Sequence, residues 1–281
     1  MVDTITLKIE PALKPIEVYR ETKTLASTKV FSRCRNLELI TNEDYTILKG
    51  SLPKFVHGSN IITLPFDEVF STIQDLSNQL ERDISNAQIL GVDWSTTIST
   101  ETKPTVYYSI LGETHPFRRV HFMNSLYYNT NAKVLLFYDK GKEAKAIGNL
   151  LRNEVRWTNL KKYGLHFSDL AKPDVFNKFT EQWLETYVSI NKIRKPMPKQ
   201  IRNPKDWNRF MQSVALEALG GKDGAFEIVN NLHAQRDIAP HHKTRIKQNI
   251  NQLIQNIGYP SNLEEELNLK FYEVAKKAFV V

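Results

Sequence analysis

The sequence contains one cysteine, Cys34, among its 281 residues. A single cysteine allows neither an intrachain disulfide nor a cysteine-built zinc site, and it favours a reducing compartment, so we expect a cytoplasmic protein. The sequence also lacks a glycine-rich phosphate loop, the ligand spacing of a zinc site and the G-x-S-x-G turn of serine hydrolases. These absences argue against Walker-type nucleotide hydrolysis, zinc chemistry and common serine hydrolysis.

No apolar run approaches the roughly 18 residues that cross a bilayer, so we expect no membrane span. The first ten residues, M-V-D-T-I-T-L-K-I-E, alternate like a strand and do not resemble a signal peptide. The chain is 41% hydrophobic, which is enough for a normal core, and carries a formal charge of +7 with a pI near 9.2. This basic balance favours nucleic acid as a partner over a membrane surface.

The first 170 residues show a mixture of strand and helix patterns. Strands are predicted at residues 2–9, 36–49, 87–99, 106–110, 121–129, 133–139 and 151–158, and an amphipathic helix at 65–84. The N-T-N-A turn at 129–132 predicts an antiparallel hairpin. Gly50 to Asn60 is interpreted as a turn-rich loop.

After about residue 170 the periodicity becomes helical. We therefore predict an α+β protein, with a domain at 1–170 built on a central antiparallel sheet with flanking helices and a helical C-terminal unit at 171–281. Between the helices, residues 191–205 carry six basic residues, three prolines and no acid. This linker is either simply solvated or contacts DNA, in which case Lys192, Arg194 and Lys195 are binding residues.

The segment 134–143, V-L-L-F-Y-D-K-G-K-E, combines a phenol, a lysine and carboxylates with strand-like apolar residues. If the strand continues, Tyr138 and Lys140 point the same way, and a cation beside a phenol favours the phenolate. An equally simple interpretation is a surface Tyr and Lys at the end of an edge strand.

The segment 149–157, N-L-L-R-N-E-V-R-W, places Arg152, Glu154 and Arg156 on one face of a strand. Asp93 falls on the polar face of another strand, so three strands could bring Asp93, Tyr138 and Glu154 to one side of a sheet. Glu143 could join them from beyond the strand end. The alternative is a set of cross-strand salt bridges without catalytic meaning.

Two further tyrosines, Tyr127 and Tyr128, are adjacent, so one is expected to face the core and the other not. Either could stack on a base or act as nucleophile in place of Tyr138, although plain packing is the simpler interpretation.

Taken in order, five features of residues 1–170 resemble the rolling-circle replication initiators of the filamentous-phage gene II type and related phage and plasmid proteins, within the broad nicking-endonuclease and relaxase group. They are the opening strand, G-S-L-P-K-F-V-H-G-S-N, the Asp93 strand, F-Y-D-K-G-K-E and L-L-R-N-E-V-R-W. The His-hydrophobic-His metal motif of better-known members is absent, since Phe122 and Met123 follow His121.

The resemblance implies an endonuclease in a bacterial host cell that nicks single-stranded origin DNA and rejoins it through a 5′-phosphotyrosyl intermediate. By analogy Tyr138 would be the nucleophile, Lys140 would assist it, and Asp93, Glu143 and Glu154 would hold Mg²⁺ or Mn²⁺. Basic residues expected to contact DNA are Lys54, Arg152, Arg156, Lys192, Arg194 and Lys195. Single-stranded and duplex origin DNA and a host helicase would be partners; the alternative is a non-catalytic DNA-binding protein with the same fold.

Overall fold

The computed structural model describes residues 1–23, 28–192, 203–219, 221–256 and 262–280. In this part of the chain, ten strands form one antiparallel sheet of order β2-β3-β4-β5-β1-β6-β10-β9-β8-β7. The strands are β1 Val2–Ile9, β2 Glu17–Lys23, β3 Thr28–Cys34, β4 Leu37–Thr41, β5 Thr46–Ser51, β6 Gln88–Ser99, β7 Arg118–Phe122, β8 Ser125–Asn129, β9 Lys133–Asp139 and β10 Leu150–Trp157.

The α-helices in the described residues are α1 Leu52–His57, α2 Phe66–Gln79, α3 Pro104–Tyr107, α4 Lys140–Ala144, α5 Pro173–Val188, α6 Pro204–Ala218, α7 Gly221–Ala234, α8 Pro240–Asn256 and α9 Asn262–Ala278. Aromatic side chains fix α2 and α5 against one face of the central strands. The ring of Trp94 on β6 lies 4.6 Å from that of Phe176 on α5, and Phe176 lies 5.1 Å from Phe66 on α2. Alternate residues of the central strands therefore point into a helix-covered core, and the others point to the opposite, more polar face.

Contacts between Cα atoms divide the chain into two compact units. The first contains residues 1–191 together with 267–281, and the second contains residues 192–266. This division differs from the predicted boundary at residue 170, because α5 and the end of the chain pack in the sheet-containing unit. Within that unit Phe271 of α9 packs edge-on against Tyr187 of α5, with ring centroids 4.6 Å apart. The second unit consists of α6, α7, α8 and the beginning of α9.

The predicted α+β class is confirmed, as are the strands containing Asp93, Tyr138 and Glu154 and the hairpin that joins β8 to β9. Two strand predictions were wrong. The segment predicted as a strand at 106–110 begins in α3, because Pro104 at the first turn supplies a helix-compatible φ and needs no N–H partner. The predicted strand at 121–129 is the β7–β8 hairpin, which turns at Met123 with φ of 51°.

The interpretation of residues 50–60 as a loop was also wrong in part, since they contain α1. Ser51 caps this helix by accepting a hydrogen bond from the backbone N–H of Lys54 at 3.4 Å. Among the described residues no helix is both long and apolar enough to cross a membrane.

Candidate active site

The register of three adjacent strands places the predicted site residues on one face of the sheet. Arg156 of β10 pairs with Asp93 of β6, and Arg152 of β10 pairs with Tyr138 of β9. Directly paired residues of antiparallel strands project to the same side, and Glu154 lies between the two arginines on the same strand. The β10 strand thus joins Asp93 to Tyr138 across the sheet.

Arg152 organises the buried part of this face. Its guanidinium, with 0% of the side chain exposed, donates to Asp3 Oδ2 at 2.5 Å and to Ser95 Oγ at 2.6 Å. It also donates to the backbone carbonyl of Asn60, and Ser51 donates to the other oxygen of Asp3 at 2.7 Å. A buried cation that is ion-paired and hydrogen-bonded from several sides has little freedom to move, so Arg152 is held as a fixed point of the site.

Glu154 is ion-paired with both neighbouring arginines, and it accepts hydrogen bonds from Arg156 and from the phenol of Tyr138. Its side chain is 2% exposed, Arg156 Nε lies 2.5 Å from Oε1, and Arg152 Nε lies 3.5 Å from Oε2. Tyr138 donates its hydroxyl proton to Oε2 at a long 3.4 Å. Glu154 is therefore the carboxylate placed to receive a proton from Tyr138.

Asp93 lies at the outer side of the same cluster. Its carboxylate is 3.7 Å from Arg156 Nε, and 19% of its side chain is exposed. Burial, and then the negative charge of Glu154, raise the pKa of Asp93 to about 7, although Arg156 opposes the shift. The two carboxylates repel each other and share one arginine, so additional positive charge at this position would be favourable.

The phenol of Tyr138 is half-buried. Burial raises the pKa of Tyr138 well above its ordinary value of 10, and the charge of Glu154 raises it further. Arg152 acts in the opposite direction. The phenolate is thus unfavourable in the protein alone, and a nucleophilic Tyr138 requires a base or an added cation.

Lys140 does not continue the strand, contrary to the sequence interpretation. It begins α4, whose cap is Asp139, and it is fully buried. Its Nζ donates to Asn60 Oδ1 at 2.8 Å and to Glu143 Oε2 at 2.5 Å, and it lies 5.8 Å from the centre of the Tyr138 ring. Burial lowers the pKa of Lys140. Lys140 therefore does lie near Tyr138, but because it begins α4 and not because the strand continues. The alternative interpretation of an edge strand is wrong, since β9 lies between β10 and β8.

The two alternative tyrosines differ sharply. Tyr128 is fully buried, and its hydroxyl donates to the carbonyls of Leu111 and Gly112 at 3.1 and 2.7 Å. Burial also raises the pKa of Tyr128, to about 12. Because its hydroxyl is enclosed and bonded to backbone, a substrate cannot reach it, which contradicts its choice as a nucleophile. Tyr127 pairs with Leu136, which pairs with Glu154, so it shares the face of the site and is half-buried.

The basic residues predicted to contact DNA occupy different environments. Arg156 is 40% exposed and Lys54 is exposed on α1, so both are available to a ligand. Arg152 is buried and engaged with Asp3, which contradicts a direct contact with DNA and indicates a positioning role. Lys192 is half-buried in the second unit, where burial lowers its pKa to about 8, while Arg194 and Lys195 lie outside the described residues.

The predicted metal ligands do not form a complete cage. Within the described ranges, no group of three or more His, Cys, Asp or Glu residues is arranged to hold a metal ion. Glu143 is ion-paired with Lys140, whereas Asp93 and Glu154 are both ion-paired with Arg156 and therefore lie together. Mg²⁺ is commonly held by one or two carboxylates plus substrate phosphate and water, so this pair fits an ion that arrives with its substrate.

Sequence reasoning did not find the side chains that hold Arg152 in place. Asn60 and Ser95 come from a segment before α2 and from β6, and no spacing in the sequence links either of them to Arg152. Only the alternation of side chains along β6 pointed to one of them: Ser95 follows Asp93 by two residues, so it lies on the face of the site.

The fold and the site together define an α+β protein with a cluster of tyrosine, carboxylate and basic side chains on one face of an extended antiparallel sheet. The family described as the N-terminal region of the phage replication-associated gene II protein matches residues 12–177. This match spans more than half of the chain, which therefore belongs to that family. The family that the sequence resembles is thus confirmed.

A solved structure, that of the rolling circle replication initiator protein from Geobacillus stearothermophilus, is similar with a TM-score of 0.42 and 9% sequence identity. The similarity covers 76% of this chain and 96% of that one. No curated protein matches this chain significantly.

Proposed function

We propose that the protein initiates rolling-circle replication by nicking single-stranded origin DNA and rejoining it through a phosphotyrosine. The proposal rests on one observation: β10, which carries Glu154, pairs with the strands of Tyr138 and Asp93 and brings all three side chains to one face of the sheet. Membership of a replication-associated family supports it independently. Basic side chains at the solvent side of the cluster, Arg156 above all, suit a phosphodiester substrate.

In the proposed reaction Tyr138 Oη attacks the scissile phosphorus, forming the bond from tyrosine oxygen to phosphorus and breaking the bond to the 3′-oxygen. The phenol proton passes to Glu154 Oε2, its nearest acceptor, and the departing 3′-oxygen takes a proton from solvent. The resulting 5′-phosphotyrosine keeps the energy of the diester, so a 3′-hydroxyl can reverse the step and close a circle. Arg152 acts by holding Glu154, and Lys140 by placing positive charge beside the phenol.

We further propose that Mg²⁺ or Mn²⁺ takes part, held by Asp93 and Glu154 together with substrate phosphate. Such an ion would neutralise developing charge on the phosphate. It would also relieve the repulsion between the two carboxylates that contributes to the raised pKa of Asp93.

The test uses a 3′-labelled library of single-stranded DNA with a randomised centre, incubated with the full-length protein and Mg²⁺ or Mn²⁺. We expect a labelled species that stays attached to protein on a denaturing gel, and sequencing of the captured strands identifies the nicking site. If no adduct forms under either metal but the library is still bound, the protein is a non-catalytic DNA-binding protein with the same fold. Absence of both adduct and binding overturns the replication role itself.

A further inference from the structure

The half of the sheet that ends at β2 carries basic and aromatic side chains on the same face as the candidate active site. Arg33 of β3 pairs with Glu38 of β4, and Glu38 pairs with Lys49 of β5, so these three side chains share one face. Lys49 pairs with Thr6 of β1, and Thr6 pairs with Gly91 of β6, two residues before Asp93, so Lys49 and Asp93 lie on the same face. We call this region the ribbon face; its members are Tyr19, Arg20, Phe31, Arg33 and Lys49.

The arginines of the ribbon face lie over aromatic rings. The guanidinium of Arg33 is 4.6 Å from the centre of the Tyr19 ring, and that of Arg20 is 5.3 Å from the Phe31 ring. Tyr19 is fixed by donating its hydroxyl to Glu38 at 2.7 Å, yet it remains 46% exposed. Unpaired bases stack on flat aromatic or guanidinium groups that are held in place and open to solvent.

The charge of this region favours a polyanion. The sequence from Glu17 to Arg35 contains five basic and two acidic residues. Six of the seven residues of β2 are exposed, so this edge strand presents its side chains to solvent on both faces. Arg20 and Arg33 on aromatic rings, with the nearby Lys49, combine positive charge with stacking surface, which is the combination that single-stranded nucleic acid requires.

We propose that the ribbon face binds the single-stranded DNA that flanks the scissile phosphate. Five strand spacings separate β6, which carries Asp93, from β2, which corresponds to about 24 Å across the sheet. A strand leaving the site crosses β1, β5, β4 and β3 to reach Tyr19, with phosphates at Lys49 and the arginines. Stacking needs unpaired bases, so the proposal is for single-stranded DNA and not for duplex. It rests on the proposed function for its location but is measured by binding alone.

The test compares wild-type protein with the double variant Arg20→Ala/Arg33→Ala in fluorescence anisotropy. The probes are the captured nicking-site strand with short flanks, the same strand with long flanks, and its duplex; a pool of long single strands replaces them if no adduct was captured. We expect a loss of affinity of about tenfold for the long single strand and little change for the short one. Each lost phosphate contact on a single strand should reduce the slope of log affinity against log salt by roughly 0.7.

Three variants separate binding from folding. Lys178→Ala/Lys276→Ala removes the same charge from exposed positions on α5 and α9 and should bind like wild type. Arg20→Lys/Arg33→Lys keeps the charge and should keep the salt slope while losing part of the affinity. Tyr19→Phe tests the fixed ring. It removes the hydrogen bond to Glu38 and should lower the affinity for the long strand only.

Unchanged affinity of the alanine double variant for the long strand overturns the proposal, as does a loss confined to duplex or an equal loss with the short strand. Adduct formation by the alanine double variant on the short strand should equal that of wild type. A failure of the ribbon face is thereby distinguished from a failure of the proposed nicking activity, which would remove the adduct from wild type as well.

Discussion

Tyr138 of β9 and Tyr127 of β8 lie on the site face beside β10, and their surroundings differ. Tyr138 donates to Glu154, whereas Tyr127 has no hydrogen-bond partner among the residues that the structure describes. A phenol already bonded to its base is ready to lose its proton when positive charge arrives. This contact is the reason for preferring Tyr138 as the nucleophile.

We expect Tyr138→Phe to abolish the protein–DNA adduct while leaving DNA affinity within about twofold, because the substitution removes one oxygen and preserves the ring. Denaturing gels and anisotropy on the same samples measure the two properties. Tyr127→Phe is the matched comparison, and loss of adduct in that variant alone would transfer the role to Tyr127. Tyr128→Phe should keep the adduct and lose about 1–3 kcal/mol of stability, since two carbonyls lose their donor.

Asp93 links the site to pH. Its pKa of about 7 in the folded protein exceeds the ordinary value of 3.8, so the folded state holds this proton more tightly than the unfolded state. The resulting stabilisation is complete below about pH 4 and is lost as pH rises through 7.

Asp93→Asn has no proton to lose, so its free energy of unfolding relative to wild type should increase from pH 4 to pH 8 by roughly 2–4 kcal/mol. Urea denaturation at several pH values measures this difference. Asp44→Asn, at an exposed position outside the cluster, should show no comparable trend. A flat difference for Asp93→Asn would mean that Asp93 is ionised throughout this range.

At the scale of elements, β10 is central to the site because its side chains alternate between packing the core and forming the charged cluster. Val155 and Trp157 face the helix-covered core, while Arg152, Glu154 and Arg156 face the cluster. The segment before α2 closes over this strand through Asn60, whose backbone carbonyl binds Arg152 and whose side chain binds Lys140. One short segment therefore connects the strand to the start of α4.

Arg152→Met should destabilise the protein by about 3–5 kcal/mol, because it leaves the carboxylates of Asp3 and Glu154 buried without this cation. Thermal or urea denaturation measures the loss. Adding Asp3→Asn to the same variant should recover part of it, since one uncompensated charge is removed. Arg156→Met, at a position 40% exposed, should cost much less, and equal costs for the two arginines would contradict the role of Arg152 as the buried centre.

At the scale of the whole molecule, the end of the chain completes the sheet-containing unit. Phe271 is fully buried among Phe137, Trp183 and Tyr187, with ring centroids 4.6 to 6.5 Å away. The residues between 191 and 267 form the second unit, so the chain leaves the first unit and returns to it. Removal of everything after residue 191 would therefore remove part of the core.

Phe271→Ala should lower the free energy of unfolding by about 3–5 kcal/mol, the usual cost of emptying a buried aromatic position. Tyr272→Ala, at the neighbouring exposed position, should change it by less than about 1 kcal/mol. Denaturation of both variants with urea gives the comparison. Similar small effects for both would show that the end of the chain does not contribute to this core.

Prediction from sequence succeeded where a local pattern carries the information. Alternation in β6, β9 and β10 fixes which side chains share a face, so the grouping of Asp93, Tyr138 and Glu154 could be anticipated. Apolar spacing at three and four residues likewise located α2. It failed for β2, whose side chains are largely exposed and lack the alternation of a half-buried strand, for its partner β3, and for the turn at Met123.

By itself, the sequence determined the α+β class, the family, and the strands that present the tyrosine and carboxylates, because short-range periodicity and the order of local motifs encode all of these. Only the tertiary structure decided that Arg152 is buried against Asp3, that Lys140 meets Asn60, and that Tyr128 belongs to the core. Asp3 and Arg152 are 149 positions apart, and Asn60 and Lys140 are 80 apart. Contacts over such separations depend on strand order and register, which no local pattern specifies.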